Sequence, residues 1–224
     1  VPELRQAIVD KVAALYGPRF DAESEVTVTA GATQAIFTAI AAFVRPGDEV
    51  IVFAPVYDSY VPAIETVGGR AVVAHLRFPD YAPDWAEVAR LITLKTRMIV
   101  INSPHNPTGS LLTTADLDQL AKVVRGSDIA ILADEVYEHI VFDGERHASV
   151  CGHPELAARS IVVSSFGKTY HVTGWKVGYV AAPAALTAEF RKVHQFNVFT
   201  VNTPMQHALA HYMPEPRHSL ELPA

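Results

Sequence analysis

Hydrophobic positions along the chain follow two alternating periods. Near the start, Leu4, Ile8 and Val12 recur every four residues, which predicts an amphipathic helix that Gly17-Pro18 ends. Farther on, short runs rich in valine and isoleucine alternate with segments of helical period. Such runs, bounded by glycine, proline and polar residues, are typical of buried β-strands. The chain is therefore expected to alternate between strands and helices.

The same patterns place the individual elements. The predicted helices cover residues 2–15, 34–44, 60–67, 84–92, 116–125 and 201–212. The predicted strands cover residues 26–29, 49–53, 71–75, 97–101 and 129–133, with two more near Ile161 and Val177. A helix between two strands normally returns the chain parallel to the first strand. We therefore predict an α/β fold, a three-layer αβα sandwich with a mainly parallel seven-stranded sheet.

Composition fits a sheet that is covered on both faces. Of the 224 residues, 50% are hydrophobic and 19% are charged, which suits buried strands better than a solvated sandwich or a disordered chain. The net charge is −6 and no basic run stands out, so nucleic acid is not an expected partner. The single cysteine, Cys151, favours a reducing compartment. Since no apolar stretch of about 18 residues could span a bilayer, we expect a soluble cytoplasmic domain.

One segment, residues 164–179, concentrates the candidate chemistry. Its sequence is SSFGKTYHVTGWKVGY, and it follows the predicted strand at Ile161. Ligands of open α/β sheets bind at the carboxyl ends of strands, so Lys168 and Lys176 indicate an anionic ligand that one lysine holds and the other modifies. A Gly-Lys-Thr sequence alone is also compatible with a surface loop. A phosphate-binding P-loop would need a glycine in place of Val162, inside the strand, and is rejected.

Residues 165–168 and 173–179 together resemble the active-site signature of the class I/II (fold type I) aminotransferases, which depend on pyridoxal phosphate. The sequence of this segment is most similar to the methionine and kynurenine aminotransferase-like branch, because both lysines, the small residues and the aromatic residues fall in register. The resemblance implies a homodimeric enzyme with pyridoxal 5'-phosphate as cofactor. It would transfer an amino group between an L-amino acid, methionine or aromatic/kynurenine-like, and a 2-oxo acid.

The resemblance also assigns the catalytic residues. Lys168 would form an imine with the cofactor and then move the substrate's proton; the buried strand before it should desolvate its amine. Asp134 would face the pyridinium nitrogen and keep it protonated. Tyr137 and Asn106 would donate hydrogen bonds to the phenolic oxygen and lower the pKa of the imine. Without the resemblance, Asp134 is equally compatible with a helix N-cap and Asn106 with an ordinary turn.

A second set of residues would bind the rest of the cofactor. Backbone N–H groups at a helix start suit a phosphate dianion, although a glycine before a helix is weak evidence by itself. Tyr57 would stack on the pyridine ring, but an aromatic residue at such a position is more often part of the core. By resemblance, the phosphate is bound by the amides of Gly31, Ala32 and Thr33 and by the side chains of Ser165 and Lys176.

Three further expectations concern a proline bond, a second acidic residue and a pair of histidines. The bond before Pro107 is expected to be cis, because members of the family often use cis bonds at this turn. Glu135 should point away from the cofactor. His207 and His211, four residues apart on a predicted helix, lack a third ligand, so no metal site is predicted.

The resembling enzymes are longer than this chain at both ends. We therefore expect residues 1–224 to be the large cofactor-binding domain, without an N-terminal arm or a C-terminal small domain, and with a trailing segment at 213–224. Because the family grips the substrate carboxylate with an arginine of the small domain, the chain alone is expected to bind cofactor weakly and transaminate poorly. Two other functions stay open, a carbon–sulfur β-lyase of the same fold and a non-catalytic effector-binding domain.

Overall fold

The computed structural model describes residues 1–214 and contains one seven-stranded sheet. Its strands are β1 (Val26–Thr29), β2 (Glu49–Ala54), β3 (Arg70–His75), β4 (Thr96–Asn102), β5 (Ala130–Asp134), β6 (Ser160–Ser165) and β7 (Gly178–Ala181). Their order across the sheet is β1-β7-β6-β5-β4-β2-β3. Within this sheet only β7 runs against its neighbours, β1 and β6. The prediction of a mainly parallel seven-stranded sheet is confirmed.

Helices cover both faces of the sheet. They are α1 (Pro2–Tyr16), α2 (Ala32–Phe43), α3 (Tyr60–Thr66), α4 (Trp85–Leu91), α5 (Thr114–Val124), α6 (Pro154–Ala157), α7 (Phe166–Thr169), α8 (Ala184–Asn197) and α9 (Thr203–Tyr212). Alternate side chains of each strand enter different cores. In β2, Ile51 and Phe53 belong to the core that also contains side chains of α1, α4, α5 and α9, whereas Val50 and Val52 belong to the core that contains side chains of α2, α3 and α8. The three-layer αβα architecture follows from this alternation.

The predicted elements agree with the structure to within about two residues at their ends. The main omission is α8, which was not predicted from the sequence. Its buried side chains are Thr187, Phe190 and His194, of which only one is apolar, so its hydrophobic stripe is weak. In the predicted trailing segment, residues 215–224 lie outside the described part of the chain. No helix within residues 1–214 is both long enough and apolar enough to cross a membrane.

Strand register gathers polar residues at one edge of the sheet. Asn102 at the end of β4 is paired with Asp134 at the end of β5, and Ser165 at the end of β6 is paired with Gly178 of β7. Gly178 lies so close to its surroundings that a Cβ atom there would be 2.8 Å from the Ser164 carbonyl oxygen and 3.1 Å from the Gly31 carbonyl carbon. The absence of a side chain therefore lets β6, β7 and the start of α2 meet.

Candidate active site

The polar edge of the sheet opens into a cavity of about 270 Å³. Strands β4, β5 and β6, the start of α2 and the short helix α7 all contribute to its wall. Every site residue predicted from the sequence lies on this wall: Gly31, Ala32, Thr33, Tyr57, Asn106, Asp134, Tyr137, Ser165, Lys168 and Lys176. Segments that are far apart in the chain thus converge on one space, as expected for a ligand site at the carboxyl ends of parallel strands.

The start of α2 forms the electropositive end of the cavity. Gly31 is the N-cap with φ 81°, a conformation that favours glycine, and the first N–H groups of the 12-residue helix follow it. Lys176 lies beside this helix start, because a Cβ on Gly31 would be 3.7 Å from the Lys176 Cδ atom. Ser165, at the end of β6, adds a hydroxyl to the same wall. Helix amides, a hydroxyl and an ammonium group together suit a phosphate dianion.

Asp134 supplies a buried carboxylate to the cavity. Its Oδ2 accepts a hydrogen bond from the Tyr60 hydroxyl at 2.5 Å, and its Oδ1 accepts one from the Val136 N–H at 3.3 Å. The residue is only 3% exposed. Burial raises the pKa of Asp134 to about 6, against the lowering effect of these two hydrogen bonds. The side chain is therefore mostly ionised at neutral pH and can accept a hydrogen bond from a protonated ring nitrogen.

Asn102 ties the neighbouring turn to the end of β5. Its Nδ2 donates to the Asp134 carbonyl oxygen at 2.9 Å, and its Oδ1 accepts the Asn106 N–H at 2.7 Å. The Asn106–Pro107 bond is cis, as predicted. Sequence reasoning missed Asn102 and Tyr60 as parts of the site. The signals were present, since Asn102 opens the Asn-Ser-Pro-His-Asn run and Tyr60 ends the run that begins at Pro55.

Lys168 lies in α7, directly after β6. The Ser165 Oγ caps this helix by accepting the Gly167 N–H at 3.1 Å. The Lys168 Nζ is 5.5 Å from the centre of the Tyr137 ring, within the range of a cation–π contact. Lys168 is exposed, so the expectation that the strand end desolvates it is wrong for this structure. Its amine is accessible to a ligand in the cavity.

The orientations of Tyr57 and Glu135 bear on two of the sequence-based predictions. Tyr57 lines the cavity and meets the Tyr60 ring edge-on, with centroids 5.4 Å apart. Glu135 points away from the cavity, as predicted: its Oε2 lies 3.0 Å from the His147 Nε2, and its Oε1 accepts the Val150 N–H at 3.0 Å. Glu135 therefore anchors the segment around residue 150.

The donor set on the cavity wall fits pyridoxal phosphate. A phosphate requires the anion-binding groups at the start of α2, and a pyridinium nitrogen requires an ionised carboxylate such as Asp134. An aldehyde requires an accessible amine, which Lys168 offers. A phenolic oxygen requires donors, and both Asn106 and Tyr137 line the same cavity. Each part of this cofactor thus has a partner of matching chemistry.

Comparison with known sequences agrees with this chemistry. The family described as "Aminotransferase class I and II" matches residues 1–219. Methionine aminotransferase of Escherichia coli (strain K12) is 52% identical over 224 residues, which are 100% of this chain and 58% of that protein. Kynurenine–oxoglutarate transaminase 3 of Rattus norvegicus is 36% identical over 93% of this chain and 48% of that protein. The chain thus spans only about half to three-fifths of these relatives.

Solved structures share the fold. The crystal structure from Escherichia coli in which a methionine aminotransferase function was identified superposes with a TM-score of 0.97 at 52% identity, covering 100% of this chain and 59% of that one. Aromatic aminotransferase from Pyrococcus horikoshii OT3 superposes with a TM-score of 0.95 at 35% identity, covering 99% and 60%. The seven-stranded sheet and its helical layers are therefore those of aminotransferase structures.

Proposed function

Because the chain belongs to the aminotransferase class I and II family, we propose that it moves an amino group between an L-amino acid and a 2-oxo acid with pyridoxal 5'-phosphate as cofactor. The observation that carries this proposal is the convergence of Lys168, Asp134 and the start of α2 on one cavity. Methionine or an aromatic, kynurenine-like amino acid is the proposed donor, since the similar proteins are named for these substrates.

Binding falls to the groups at the two ends of the cavity. When bound, the cofactor supplies an aldehyde that takes up the amino group and a ring that accepts electrons. The amides at Gly31, Ala32 and Thr33 would hold the phosphate, together with Ser165 and Lys176. Lys176 contributes a point charge where an arginine would contribute a fork of donors.

Proton transfer falls to Asp134 and Lys168. Asp134 is ionised above about pH 6, so its carboxylate can hold a proton on the ring nitrogen at neutral pH. The exposed Lys168 amine would take the proton from the substrate's α-carbon. It would then deliver this proton to the carbon on the cofactor's side of the transferred nitrogen. Asn106 and Tyr137 would donate hydrogen bonds to the phenolic oxygen. Tyr57 would cover the ring face.

The remaining features are proposed from the family. Residues 1–224 would form the large cofactor-binding domain, and the protein would act as a homodimer in the cytoplasm without nucleic acid or membrane partners. A single buried thiol, Cys151, is compatible with a reducing compartment, and burial raises its pKa. Exposed aromatic side chains at Phe196 and Phe199, 86% and 87% accessible, are compatible with a subunit contact.

The test is the attachment of the cofactor to Lys168. After mixing with pyridoxal phosphate and separation from the free cofactor, the chain should retain an absorbance band in the visible or near-ultraviolet region, and borohydride should fix the adduct on the peptide that contains Lys168. Lys168→Ala should lose the adduct. Lys192→Ala is the matched control, because Lys192 is a surface residue of α8 paired with Glu189. A separated chain without the band, or the same amount of adduct in Lys168→Ala as in the wild type, would refute the proposal.

Product analysis then tests the reaction type. With methionine and a 2-oxo acid, the protein in its full length should form a new amino acid in equal amount to the 2-oxo acid derived from methionine. Release of ammonia without a new amino acid would contradict transamination. Replacement of methionine by kynurenine in the same assay identifies the preferred donor.

A further inference from the structure

Glu138 is a buried carboxylate that the proposed chemistry does not use. It directly follows Tyr137 in the chain, but its side chain points to α1 and not to the cavity. Its Oε1 accepts hydrogen bonds from the Lys11 Nζ and the Ser164 Oγ, both at 2.5 Å. Its Oε2 accepts one from the Tyr16 hydroxyl at 2.6 Å. One carboxylate thus joins helix α1, strand β6 and the turn at residues 135–140.

Tyr179 of β7 is the fifth member of this set, which we call the Glu138 network (Lys11, Tyr16, Glu138, Ser164 and Tyr179). Its hydroxyl accepts a hydrogen bond from the Lys11 Nζ at 3.0 Å and lies 3.4 Å from the Glu138 Oε1. The His139 Nε2 lies farther from the carboxylate, 3.8 Å from the Glu138 Oε2. The side chains of Lys11 and Glu138 are only 9% and 2% exposed. Two opposite charges are therefore held together almost without solvent.

Both charges persist at neutral pH. Burial works to raise the pKa of Glu138, but the Lys11 charge and the hydrogen bonds lower it to about 2. Burial likewise works to lower the pKa of Lys11, and the Glu138 charge raises it well above its ordinary value. A buried ion pair seldom stabilises a fold more than apolar side chains of the same size. A fully satisfied network does fix the relative position of the elements it joins.

The turn at residues 135–140, which carries Tyr137, is one of the elements that this network joins. Two backbone hydrogen bonds shape this turn, from the Glu138 N–H to the Glu135 carbonyl at 3.0 Å and from the Ile140 N–H to the Tyr137 carbonyl at 2.7 Å. Within residues 1–214, no side-chain hydrogen bond holds the Tyr137 hydroxyl, and the exposed Lys168 Nζ lies 5.5 Å from the centre of its ring. The position of the hydroxyl therefore depends on the backbone of the turn.

We propose that Glu138 is a positioning residue for Tyr137, because its ion pair with Lys11 clamps the turn at residues 135–140 onto α1 and so aims the Tyr137 hydroxyl into the cavity. The same carboxylate binds Ser164, the neighbour of the cavity residue Ser165, so β6 is fixed in the same frame. The chemical use of the hydroxyl, donation to the cofactor's phenolic oxygen, rests on the proposed function. The positional claim concerns the chain alone.

The variants are chosen to separate positioning from stability. Glu138→Gln removes the charge with little change of shape, but it leaves Lys11 buried without a counter-charge and can prevent folding. The double variant Lys11→Met/Glu138→Leu replaces the pair by apolar groups of similar size, so that no buried charge is left without a counter-charge. Leu120→Ala is the control, since Leu120 is a fully buried residue of α5, a helix that contributes no residue to the Glu138 network, and its truncation destabilises the core.

The first measurement uses the chain without cofactor. Among the 8 tyrosines, the resonance of Tyr137 labelled at Cζ with ¹³C is assigned by its loss in Tyr137→Phe. We expect this resonance to shift or broaden in the double variant and to keep its wild-type position in Leu120→Ala. An unchanged Tyr137 resonance in the folded double variant would overturn the proposal and leave the network a structural role only.

The second measurement uses the chain loaded with pyridoxal phosphate. The pH at which its absorbance band changes should rise in the double variant, as in Tyr137→Phe, by about one pH unit, the size of one lost hydrogen bond to a charged group. Adding Tyr137→Phe to the double variant should cause no further rise. Additive shifts would show that Glu138 acts independently of Tyr137 and would overturn the proposal. If the wild-type chain forms no band, the proposed function fails, while the cofactor-free spectra still decide the positional claim.

Discussion

Asp134 shows how single residues balance burial against hydrogen bonding in this site. Burial favours the protonated acid, whereas the Tyr60 hydroxyl and the Val136 N–H favour the carboxylate. The result is an acid with a pKa of about 6, higher than an exposed aspartate but still ionised at neutral pH. Tyr60 is itself 3% exposed and contacts Tyr57, so one hydroxyl links the acid to the aromatic side of the cavity.

Removal of the Tyr60 hydroxyl should raise the pKa of Asp134 further. In Tyr60→Phe the Oδ2 loses its hydrogen bond at 2.5 Å, and since this bond favours the charged form, we expect a rise of about one unit. The measurement is a pH titration of the Asp134 carboxyl carbon by NMR in the cofactor-free chain. Tyr57→Phe is the matched control and should leave the titration unchanged. The same midpoint in Tyr60→Phe and wild type would contradict the role of this hydroxyl.

Asp134 should also make the cofactor-free chain less stable at neutral pH. Its pKa of about 6 in the fold lies above the value of about 3.9 in an unfolded chain. The protonated acid therefore favours the fold below about pH 4, and this contribution is lost as the pH rises through 6. Asp134→Asn should raise the free energy of unfolding at pH 7.5 by about 1–2 kcal/mol.

Urea unfolding at two pH values tests this sign. The gain of Asp134→Asn over the wild type should shrink toward zero below about pH 3, where the wild-type acid is protonated in both states. The same variant should lose the spectral response to pyridoxal phosphate, because an amide cannot hold a proton on the ring nitrogen. A variant that is less stable than the wild type at pH 7.5 would show that the carboxylate stabilises the fold.

At the scale of elements, β6, β7 and the start of α2 approach each other closely at Gly178. A Cβ at Gly178 would lie 2.8 Å from the Ser164 carbonyl oxygen and 3.1 Å from the Gly31 carbonyl carbon. Both are backbone atoms, so the clash cannot be relieved by rotating a side chain. Gly178→Ala should therefore lower the free energy of unfolding by about 1–3 kcal/mol. Gly174→Ala is the matched control, since a Cβ there meets no atom within 4 Å. Equal urea midpoints for both variants would refute the importance of this close approach.

Local patterns predicted most elements because each strand and most helices carry a regular apolar period. Helix α8 was missed because its buried face includes Thr187 and His194. The site residues were predicted where they lie in a recognisable run, as Lys168 and Asn106 do. Contacts between distant segments, such as that of Tyr60 with Asp134 or of Lys11 with Glu138, depend on tertiary packing and have no local signal. The exposure of Lys168 likewise depends on which residues pack around it in the fold, so it could not be predicted from the neighbouring sequence.

At the scale of the whole molecule, the sheet order explains why the cavity has an anionic and a cationic end. The central strands β5 and β4 bring Asp134 and Asn102 to the carboxyl edge. The order β1-β7-β6 places the start of α2, which follows β1, next to the end of β6. The chain is acidic overall, with a net charge of −6. Attraction for a phosphate therefore arises from the local amides and Lys176 and not from the charge of the molecule.

Cofactor binding should consequently stabilise the entire fold through that local site. At about 100 times its dissociation constant, pyridoxal phosphate should raise the free energy of unfolding by about 2.7 kcal/mol. Lys176→Met should weaken binding by about tenfold and reduce this gain by about 1.3 kcal/mol at the same ligand concentration. Lys192→Met, which removes a surface lysine of α8, should keep the full gain. Because both variants lose one positive charge, an equal gain in urea unfolding would mean that Lys176 does not contact the phosphate.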